Sequence, residues 1–219
     1  VQSGAGIGSG YSDDEYVKYG AEIVDTAEDV FSAADMIIKV KEPLPEEYGY
    51  FREGQILYTY LHLAAVPQLA RALMERGVSA VAYETIELPD KSLPCLTPMS
   101  EIAGRLSVQE GAKYLEKEFG GRGILLGGVP GVPRGNVGII GGGVVGTNAC
   151  KIAAGIGANV TVLDINARKL AYLDDIFGSR ITTLYATESN IEMILQEADI
   201  IIGAVLLPGA TAPKIIKRE

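Results

Sequence analysis

The stretch Asn136-Val-Gly-Ile-Ile-Gly-Gly-Gly-Val-Val-Gly-Thr-Asn148 decides how the second half of the chain folds. Residues 137–140 are apolar or small and predict a buried parallel strand. Gly141, Gly143 and Gly146 follow in the pattern G-x-G-x-x-G, and apolar residues then recur at helical spacing. A strand, a glycine turn and a helix in this order predict a dinucleotide site.

Each glycine has a physical role in such a turn. Gly141 permits the tight bend, Gly143 lets the backbone approach a diphosphate, and Gly146 lets the helix pack against the strand. The unpaired N–H groups that open the helix carry partial positive charge and attract an anion. Glycine-rich turns also occur where helices pack without any nucleotide, so a further feature is needed to favour binding.

Asp164 is that feature. It lies at the carboxyl end of a second predicted strand, residues 158–163. It also follows Gly146 by 18 residues, which is near the spacing of about 20 at which an acid binds a ribose hydroxyl. A carboxylate there repels a 2′-phosphate, so NAD is favoured over NADP. Further helices are predicted at 166–177 and 188–196, and further strands at 181–185 and 199–204. The order predicts the first half of a Rossmann fold plus one strand.

The first ninety residues alternate predicted helices and strands, which is typical of a parallel α/β sheet. The helices are expected at 12–19, 26–34 and 67–76, and the strands at 21–24, 35–40, 55–60 and 78–83. Ligands of such sheets lie at the carboxyl ends of the strands. Two of the strands run into conspicuous residues, Lys41 and His62, and His62 is the only histidine in the chain.

Both residues have an ordinary interpretation beside the functional one. A lysine at a strand end is usually a solvated surface charge, and a lone histidine in an apolar segment is usually a core residue. In the functional interpretation Lys41 holds a substrate carboxylate or polarises a carbonyl. His62 then moves a proton at the substrate. We expect the two side chains to converge on one crevice, where a nicotinamide would complete a hydride-transfer site.

A long helix is predicted at residues 98–118, followed by a glycine- and proline-rich loop at 120–135. We therefore expect an α/β protein with two doubly wound domains joined by a long helix. A substrate domain is predicted at 1–97, a connecting helix and loop at 98–135, and an incomplete Rossmann NAD-binding domain at 136–219. The chain begins without methionine and ends soon after the fourth strand of that domain. We expect it to be the middle of a longer protein.

Composition excludes several other classes of protein. The net charge is −9 and no basic stripe occurs, so neither nucleic acid nor an anionic membrane is an expected partner. Cys95 and Cys150 have no metal or redox spacing and indicate free thiols in a reducing cytosol, so we expect a cytoplasmic protein without a metal. The apolar runs are too short and too broken by glycine to span a membrane, and no signal peptide is present.

The chain resembles the alanine dehydrogenase family along its whole length. The matching segments are Ala5-Gly-Ile-Gly-Ser-Gly-Tyr11, Val40-Lys-Glu-Pro43, Tyr58-Thr-Tyr-Leu-His-Leu-Ala64, Ala82-Tyr-Glu-Thr85, Leu96-Thr-Pro-Met-Ser100, Gly104-Arg-Leu-Ser107, Leu126-Gly-Gly-Val-Pro-Gly131 and Gly203-Ala-Val-Leu206. The NAD-binding α-subunit of nicotinamide nucleotide transhydrogenase is a related family that shares Lys-Glu-Pro. The segment around His62 favours alanine dehydrogenase over this relative.

The resemblance implies roles for particular residues. Lys41 matches the lysine that holds the substrate carboxylate and keto oxygen, and His62 matches the histidine of proton transfer. Matches to cofactor-binding positions are Ser100, the glycine-turn residues Gly141, Gly143, Val144, Val145 and Gly146, the ribose acid Asp164, the basic residue Lys169, and Val205 and Leu206 after the fourth strand. Ala186 stands where many members have a cofactor-contacting serine, and we expect this difference to weaken one hydrogen bond, worth about 1 kcal/mol.

The activity that the resemblance implies is reversible, NAD-dependent oxidative deamination of L-alanine to pyruvate and ammonia. The alternatives are the NAD-binding subunit of a transhydrogenase and a non-catalytic NAD-binding module. The resemblance also implies a homo-oligomer, a hexamer in the family. The family's substrate-binding arginine, in an N-terminal strand, and its nicotinamide-side aspartate have no counterpart between Val1 and Glu219.

Overall fold

The computed structural model describes residues 1–207 and 213–216. The described residues divide into two compact units, and we call them the first unit, Val1–Glu87, and the second unit, which begins at Leu88. The division by packing therefore falls ten residues before the predicted end of the substrate domain at residue 97. The predicted assignment of functions to domains stays a proposal.

The first unit is built on a three-stranded parallel sheet. Its elements are α1 (Asp13–Lys18), α2 (Ala27–Ala33), β1 (Met36–Ile38), β2 (Ile56–Thr59), α3 (Pro67–Glu75) and β3 (Ser79–Ala82). The strand order is β1-β2-β3, with Ile38 opposite Tyr58 and Tyr58 opposite Val81. All three carboxyl ends therefore lie at one edge of the sheet, the edge at which the sequence predicts a ligand.

The first two helices begin where capping side chains predict. The Ser12 hydroxyl accepts the N–H of Glu15, and the Glu15 carboxylate accepts the N–H of Ser12 at 2.8 Å, which completes a capping box. The Thr26 hydroxyl accepts the N–H of Asp29 at 3.1 Å at the start of α2. The predictions that helices begin at these two points are confirmed.

The strand predicted at Ala21–Val24 is wrong. Val24 forms only an isolated β-bridge to Gln2. The N–H of Val24 donates to the Val1 carbonyl at 2.9 Å, and the N–H of Ser3 donates to the Val24 carbonyl at 2.8 Å. The pairing partner of this segment lies at the first residues of the chain, which the local apolar pattern does not reveal.

One face of the first sheet packs on the helices. The core of this unit consists of Phe31, Ile37, Phe51, Leu57, Leu61, Leu69 and Leu73. Because side chains alternate along a strand, the neighbours of Ile37 point to the opposite face. Met36 and Ile38 are 45% and 66% exposed there. Gln55 is fully buried below β2 and donates to the Phe31 and Ala34 carbonyls, which fixes the end of α2.

The second unit contains a four-stranded parallel sheet. Its elements are α4 (Thr97–Tyr114), β4 (Asn136–Ile140), α5 (Val144–Ile156), β5 (Asn159–Asp164), α6 (Ala167–Phe177), β6 (Ile181–Tyr185), α7 (Glu188–Glu197) and β7 (Ile200–Gly203). The strand order is β6-β5-β4-β7, the order of the first half of a Rossmann fold with its fourth strand. The sequence predicts every one of these strands within two residues.

Both faces of this sheet are covered by helices. Val137 and Ile139 of β4 pack with residues of α4, α5 and α6 in one core cluster, whereas Ile140 packs with Ile194 of α7 in another. Gly138 lets α7 lie close, since a Cβ at this position would stand 2.4 Å from the Ile194 side chain. The predicted α/β class with parallel sheets is confirmed.

The predicted long helix is shorter than expected. It ends at Tyr114, and a 3₁₀ turn at Lys117–Phe119 follows it, in which Phe119 is 45% exposed. The chain folds back over the helix end, where the N–H of Gly123 donates to the Leu115 carbonyl at 2.7 Å. Of the two leucines in the loop, Leu126 is buried and Leu125 is exposed.

Candidate functional site

The glycine turn has the shape that a dinucleotide site needs. Gly141 has φ 108°, in the left-handed region, and a Cβ there would lie 2.6 Å from the Ala204 carbonyl oxygen. A Cβ on Gly146 would lie 1.8 Å from the carbonyl oxygen of Gly141. Neither position tolerates a side chain, so the tight turn and the close approach of α5 both depend on glycine.

Gly143 differs from the other two glycines because its missing side chain leaves open space. It has φ −73°, which any residue adopts, and the nearest atom to a Cβ there would be Lys169 Nζ at 3.9 Å. Gly143 is also the residue that precedes α5, whose first N–H groups lack partners within the helix. An anionic group can therefore approach the backbone at this point.

Asp164 ties the turn to the next strand and helix. It is 7% exposed, and its carboxylate accepts the N–H of Gly142 at 2.6 Å and the N–H of Asn166 at 2.8 Å. Asn166 in turn caps α6 through its side chain. A carboxylate has about four acceptor positions, so these two bonds leave capacity for a ribose hydroxyl.

The other predicted cofactor residues of the second unit surround the same turn. The Lys169 ammonium lies 3.8 Å from the Asp164 carboxylate and is half-exposed. Val144 is 41% exposed at the start of α5, whereas Val145 packs against the core. Val205 and Leu206 directly follow Ala204, whose carbonyl abuts Gly141; Val205 is partly buried and Leu206 is exposed.

Ser100 lies in the first turns of α4, the helix that packs against α5. Gly104, one turn further along α4, allows this packing, since a Cβ there would lie 2.2 Å from the Val145 carbonyl oxygen. Residues four apart share a helix face, so Ser100 lies on the face of α4 that is turned to α5. The Arg105 guanidinium also donates to the buried Asn148 amide of α5 at 3.1 Å.

In the first unit, the carboxyl edge of the sheet carries Lys41, Glu42 and His62, and Lys41 is exposed there. The ladder between β1 and β2 continues past both strands, as the N–H of Tyr60 donates to the Val40 carbonyl at 3.2 Å. The Thr59 hydroxyl donates to the Lys41 carbonyl at 2.9 Å. This register places Glu42 beside His62, with 3.0 Å between Glu42 Oε2 and His62 Nδ1.

The charge of Glu42 determines which ring nitrogen of His62 carries the proton. A backbone N–H bond and, next, the bond to His62 hold the pKa of the Glu42 carboxyl below its ordinary value of 4.5. Glu42 is therefore an anion at neutral pH and can only accept. His62 Nδ1 donates to it, so Nε2 of the neutral ring carries the lone pair and is the atom that can take a proton.

The backbone of His62 is strained. Its φ is 48°, in the left-handed region, and among residues 1–207 and 213–216 the only other non-glycine residue with positive φ is Lys91. For a residue with a Cβ this conformation costs about 1–2 kcal/mol. The carboxylate of Glu84 accepts the N–H of His62 at 2.7 Å and the N–H of Leu61 at 3.1 Å, which offsets that cost.

The sequence alone misses Glu42 and Glu84 as parts of this edge. Glu42 stands next to Lys41 in the Lys-Glu-Pro segment, and Glu84 lies in a matching segment, but neither is predicted to contact His62. The contacts depend on the register of three strands. If the register between β1 and β2 is continued past the strands, Glu42 falls opposite His62. A prediction of this register is the signal that could have identified Glu42.

Two further properties bear on the chemistry. Within the ranges 1–207 and 213–216, no three His, Cys, Asp or Glu side chains are arranged to hold a metal ion. None of the helices in this part of the chain combines the length and the apolarity that crossing a bilayer requires.

Comparison with known proteins assigns the family. The model of the alanine dehydrogenase/PNT N-terminal domain matches residues 1–103, and that of the C-terminal domain matches residues 107–219. The chain belongs to the alanine dehydrogenase/PNT family. The resemblance stated from the sequence motifs is thereby confirmed.

Individual members of the family support this assignment. Over 219 residues the chain is 60% identical to an alanine dehydrogenase of Methanococcus maripaludis and 58% identical to one of Bacillus subtilis, covering 100% of this chain but 59% and 57% of those proteins. A solved L-alanine dehydrogenase superposes with a TM-score of 0.87 at 55% identity, over 99% of this chain and 60% of that one. The chain thus spans less than two thirds of these relatives.

A solved transhydrogenase from Sinorhizobium meliloti is a more distant match. It superposes with a TM-score of 0.75 at 24% identity, over 98% of this chain and 62% of that one. At this identity the match shows a shared fold.

Proposed function

We propose that the protein catalyses the reversible, NAD-dependent oxidative deamination of L-alanine to pyruvate and ammonia. The observation that carries the proposal is the pair His62–Glu42 at the same strand edge as Lys41, in a chain that belongs to the alanine dehydrogenase/PNT family. An oriented imidazole and a lysine at the same strand edge suit a substrate that has both a carboxylate and a nitrogen to protonate.

The shape of the glycine turn in the second unit supports NAD as the cofactor. Gly143 leaves the space for a diphosphate, and Asp164 lies 2.6 Å from the Gly142 N–H with acceptor capacity remaining. The residues that would hold NAD are Ser100, Gly141, Gly143, Val144, Val145, Gly146, Asp164, Lys169, Val205 and Leu206. Bound NAD supplies the acceptor for the hydride of the alanine Cα.

The residues of the first unit would bind and protonate the substrate. The Lys41 ammonium neutralises the alanine carboxylate and polarises the keto oxygen of pyruvate. His62 Nε2 takes a proton from the substrate nitrogen or from water in one direction and returns it in the other. Glu42 holds the ring in the tautomer that leaves Nε2 free and stabilises the imidazolium once it forms.

Family resemblance supports the remaining parts of the proposal. We propose that the substrate-binding functions belong to residues 1–97 and the NAD-binding functions to residues 136–219, with residues 98–135 as the connection. We also propose a cytoplasmic homo-oligomer, as the resemblance implies.

The proposal is tested on the protein at its natural length, by following NADH formation with L-alanine as the substrate. Alanine-dependent NADH formation, and NADH oxidation with pyruvate and ammonia, are the expected results. Absence of both reactions, together with hydride exchange between nucleotides once a partner subunit is added, would favour the transhydrogenase alternative. NAD binding without either activity would indicate a non-catalytic NAD-binding module.

A further inference from the structure

The carboxylate of Glu84 binds the backbone of the residue that is proposed to move the proton. Oε1 accepts the N–H of His62 at 2.7 Å, and both oxygens lie within 3.2 Å of the N–H of Leu61. Two successive N–H groups that converge on one anion form a concave site of partial positive charge. Charge-assisted bonds of this kind are stronger than neutral ones.

The position of Glu84 is set by the sheet and not by the loop that it binds. Glu84 lies in the 3₁₀ turn Tyr83–Thr85, directly after β3, and β3 pairs along its whole length with β2. On the other side, Leu61 is 2% exposed and belongs to the core of the first unit. The carboxylate therefore links two rigid parts, and His62 is the residue between them.

The left-handed backbone of His62 determines where its ring points. With φ at 48° the ring is 46% exposed at the sheet edge and meets Glu42 at 3.0 Å. The carbonyl of His62 also accepts N–H groups of Ala65 and Val66 at 2.8 and 3.2 Å. Without the anion at its N–H, His62 would relax to the negative φ that a residue with a Cβ prefers, and its ring would leave Glu42.

We infer that Glu84 is a positioning residue, which holds the His62 backbone in the left-handed conformation and so directs the ring onto Glu42. Glu42 and Glu84 then have separate tasks: Glu42 sets the tautomer of the ring, and Glu84 sets its place. This inference rests on the proposed function for its effect on catalysis, but its structural part can be measured without any turnover.

His62 is the only histidine in the chain, so ¹⁵N labelling of histidine gives the signals of a single ring. The NMR spectrum is recorded at about pH 8, where a free imidazole is neutral. The unaltered chain should show His62 protonated at Nδ1. Glu84→Ala should lose this preference and show the tautomer mixture of free histidine. Glu84→Gln, which keeps one acceptor oxygen, should retain a part of it.

Kinetics in the protein at its natural length give the second measurement. Displacement of a catalytic group by about 1 Å lowers turnover by about 100-fold, so Glu84→Ala should lower kcat by about 100-fold while KM for NAD stays unchanged. Glu84→Gln, which keeps one acceptor oxygen, should lower kcat less than Glu84→Ala does. Glu46→Ala removes an exposed carboxylate of the same unit and should match the unaltered protein in both measurements.

The outcomes separate the inference from the proposed function. An unaltered tautomer signal in Glu84→Ala, or an unaltered kcat, would overturn the positioning role even in an active enzyme. A protein without alanine turnover whose tautomer changes in Glu84→Ala would overturn the proposed function and support the positioning. If Glu84→Ala fails to fold, Glu84→Gln decides: an Nδ1 preference equal to that of the unaltered chain contradicts the inference, and a reduced one supports it.

Discussion

The glycine turn of the second unit and the strand edge of the first unit are both candidate binding sites, but they are built from different groups. The turn consists of backbone, and its shape exists because Gly141 and Gly146 have no Cβ. The edge consists of side chains, and its shape exists because Glu42 and Glu84 hold His62 at the ring and at the backbone. A backbone site suits a task common to many enzymes, such as binding a diphosphate. A side-chain site suits one reaction.

The comparison also shows how each site can fail. At the turn, a Cβ added to Gly141 or Gly146 overlaps the backbone, which affects the folding of the whole unit. At the edge, loss of one of the side chains that hold His62 changes the direction of its ring, which affects catalysis before it affects folding.

Gly146→Ala should have the largest effect on stability. The added Cβ would lie 1.8 Å from the Gly141 carbonyl oxygen, and overpacking of this kind costs about 3 kcal/mol. Urea unfolding of the second unit measures the loss. Gly155→Ala is the matched control in the same helix, because a Cβ at Gly155 meets no atom within 4 Å and should stabilise α5 by about 0.5–1 kcal/mol. Equal stability of the two variants would contradict the steric account of the turn.

Gly143→Ala should affect binding without affecting folding. Its Cβ would occupy the open space beside Lys169, where the proposed diphosphate lies. We expect NAD affinity to fall by about tenfold, or about 1.4 kcal/mol, while the unfolding free energy stays unchanged. Calorimetric titration with NAD measures the affinity. An affinity equal to that of the unaltered chain would place the diphosphate elsewhere.

Glu42 makes the stability of the first unit depend on pH. Its pKa is lower in the folded chain than its ordinary value of 4.5, so the ionised carboxylate stabilises the fold above that value. This stabilisation is lost as the pH falls through the lowered folded pKa. Unfolding free energies measured across the acid range should therefore decrease less steeply in Glu42→Gln than in the unaltered chain. Glu46→Gln is the control for loss of a carboxylate alone, and identical profiles of the two variants would refute this role of Glu42.

Cys150 should report on the packing of α5 behind the turn. Burial raises the pKa of this thiol to about 12, and its side chain is 0% exposed. The native chain should therefore leave Cys150 unmodified by iodoacetamide near neutral pH, because the reagent needs an accessible thiolate. Peptide mass spectrometry measures the modification. Gly146→Ala should make Cys150 reactive, and rapid modification in the unaltered chain would show that α5 opens more easily than its packing indicates.

Much of the fold could be predicted from the sequence, because its signals are local. The capping residues Ser12 and Thr26 begin their helices as predicted, and the strands of the second unit follow from short apolar runs between glycines. The glycine turn could be predicted for the same reason, since the lack of four Cβ atoms within the six positions 141–146 is visible in the sequence itself. Its link to Asp164 through the Gly142 N–H was not predicted, because it depends on how two neighbouring strands end.

The remaining errors and omissions concern contacts between distant segments. The strand at 21–24 fails because its partner is Gln2, and the long helix ends early because Gly123 folds back onto Leu115. Glu42 and Glu84 were missed because 20 and 22 residues separate them from His62. Only the register of β1, β2 and β3 brings these three residues together. Parallel strands hide such contacts from the sequence, because their connections are long.

The division of tasks between the two sites is tested most directly by one variant, His62→Ala, in the protein at its natural length. NAD binding by calorimetric titration and alanine-dependent NADH formation are measured on the same sample. Loss of a general acid–base lowers turnover by about 100–10,000-fold, so we expect NADH formation to fall by at least about 100-fold while the affinity for NAD stays unchanged. Retention of the full rate would contradict the proposed role of His62, and a loss of NAD affinity in parallel would contradict the separation of the two sites.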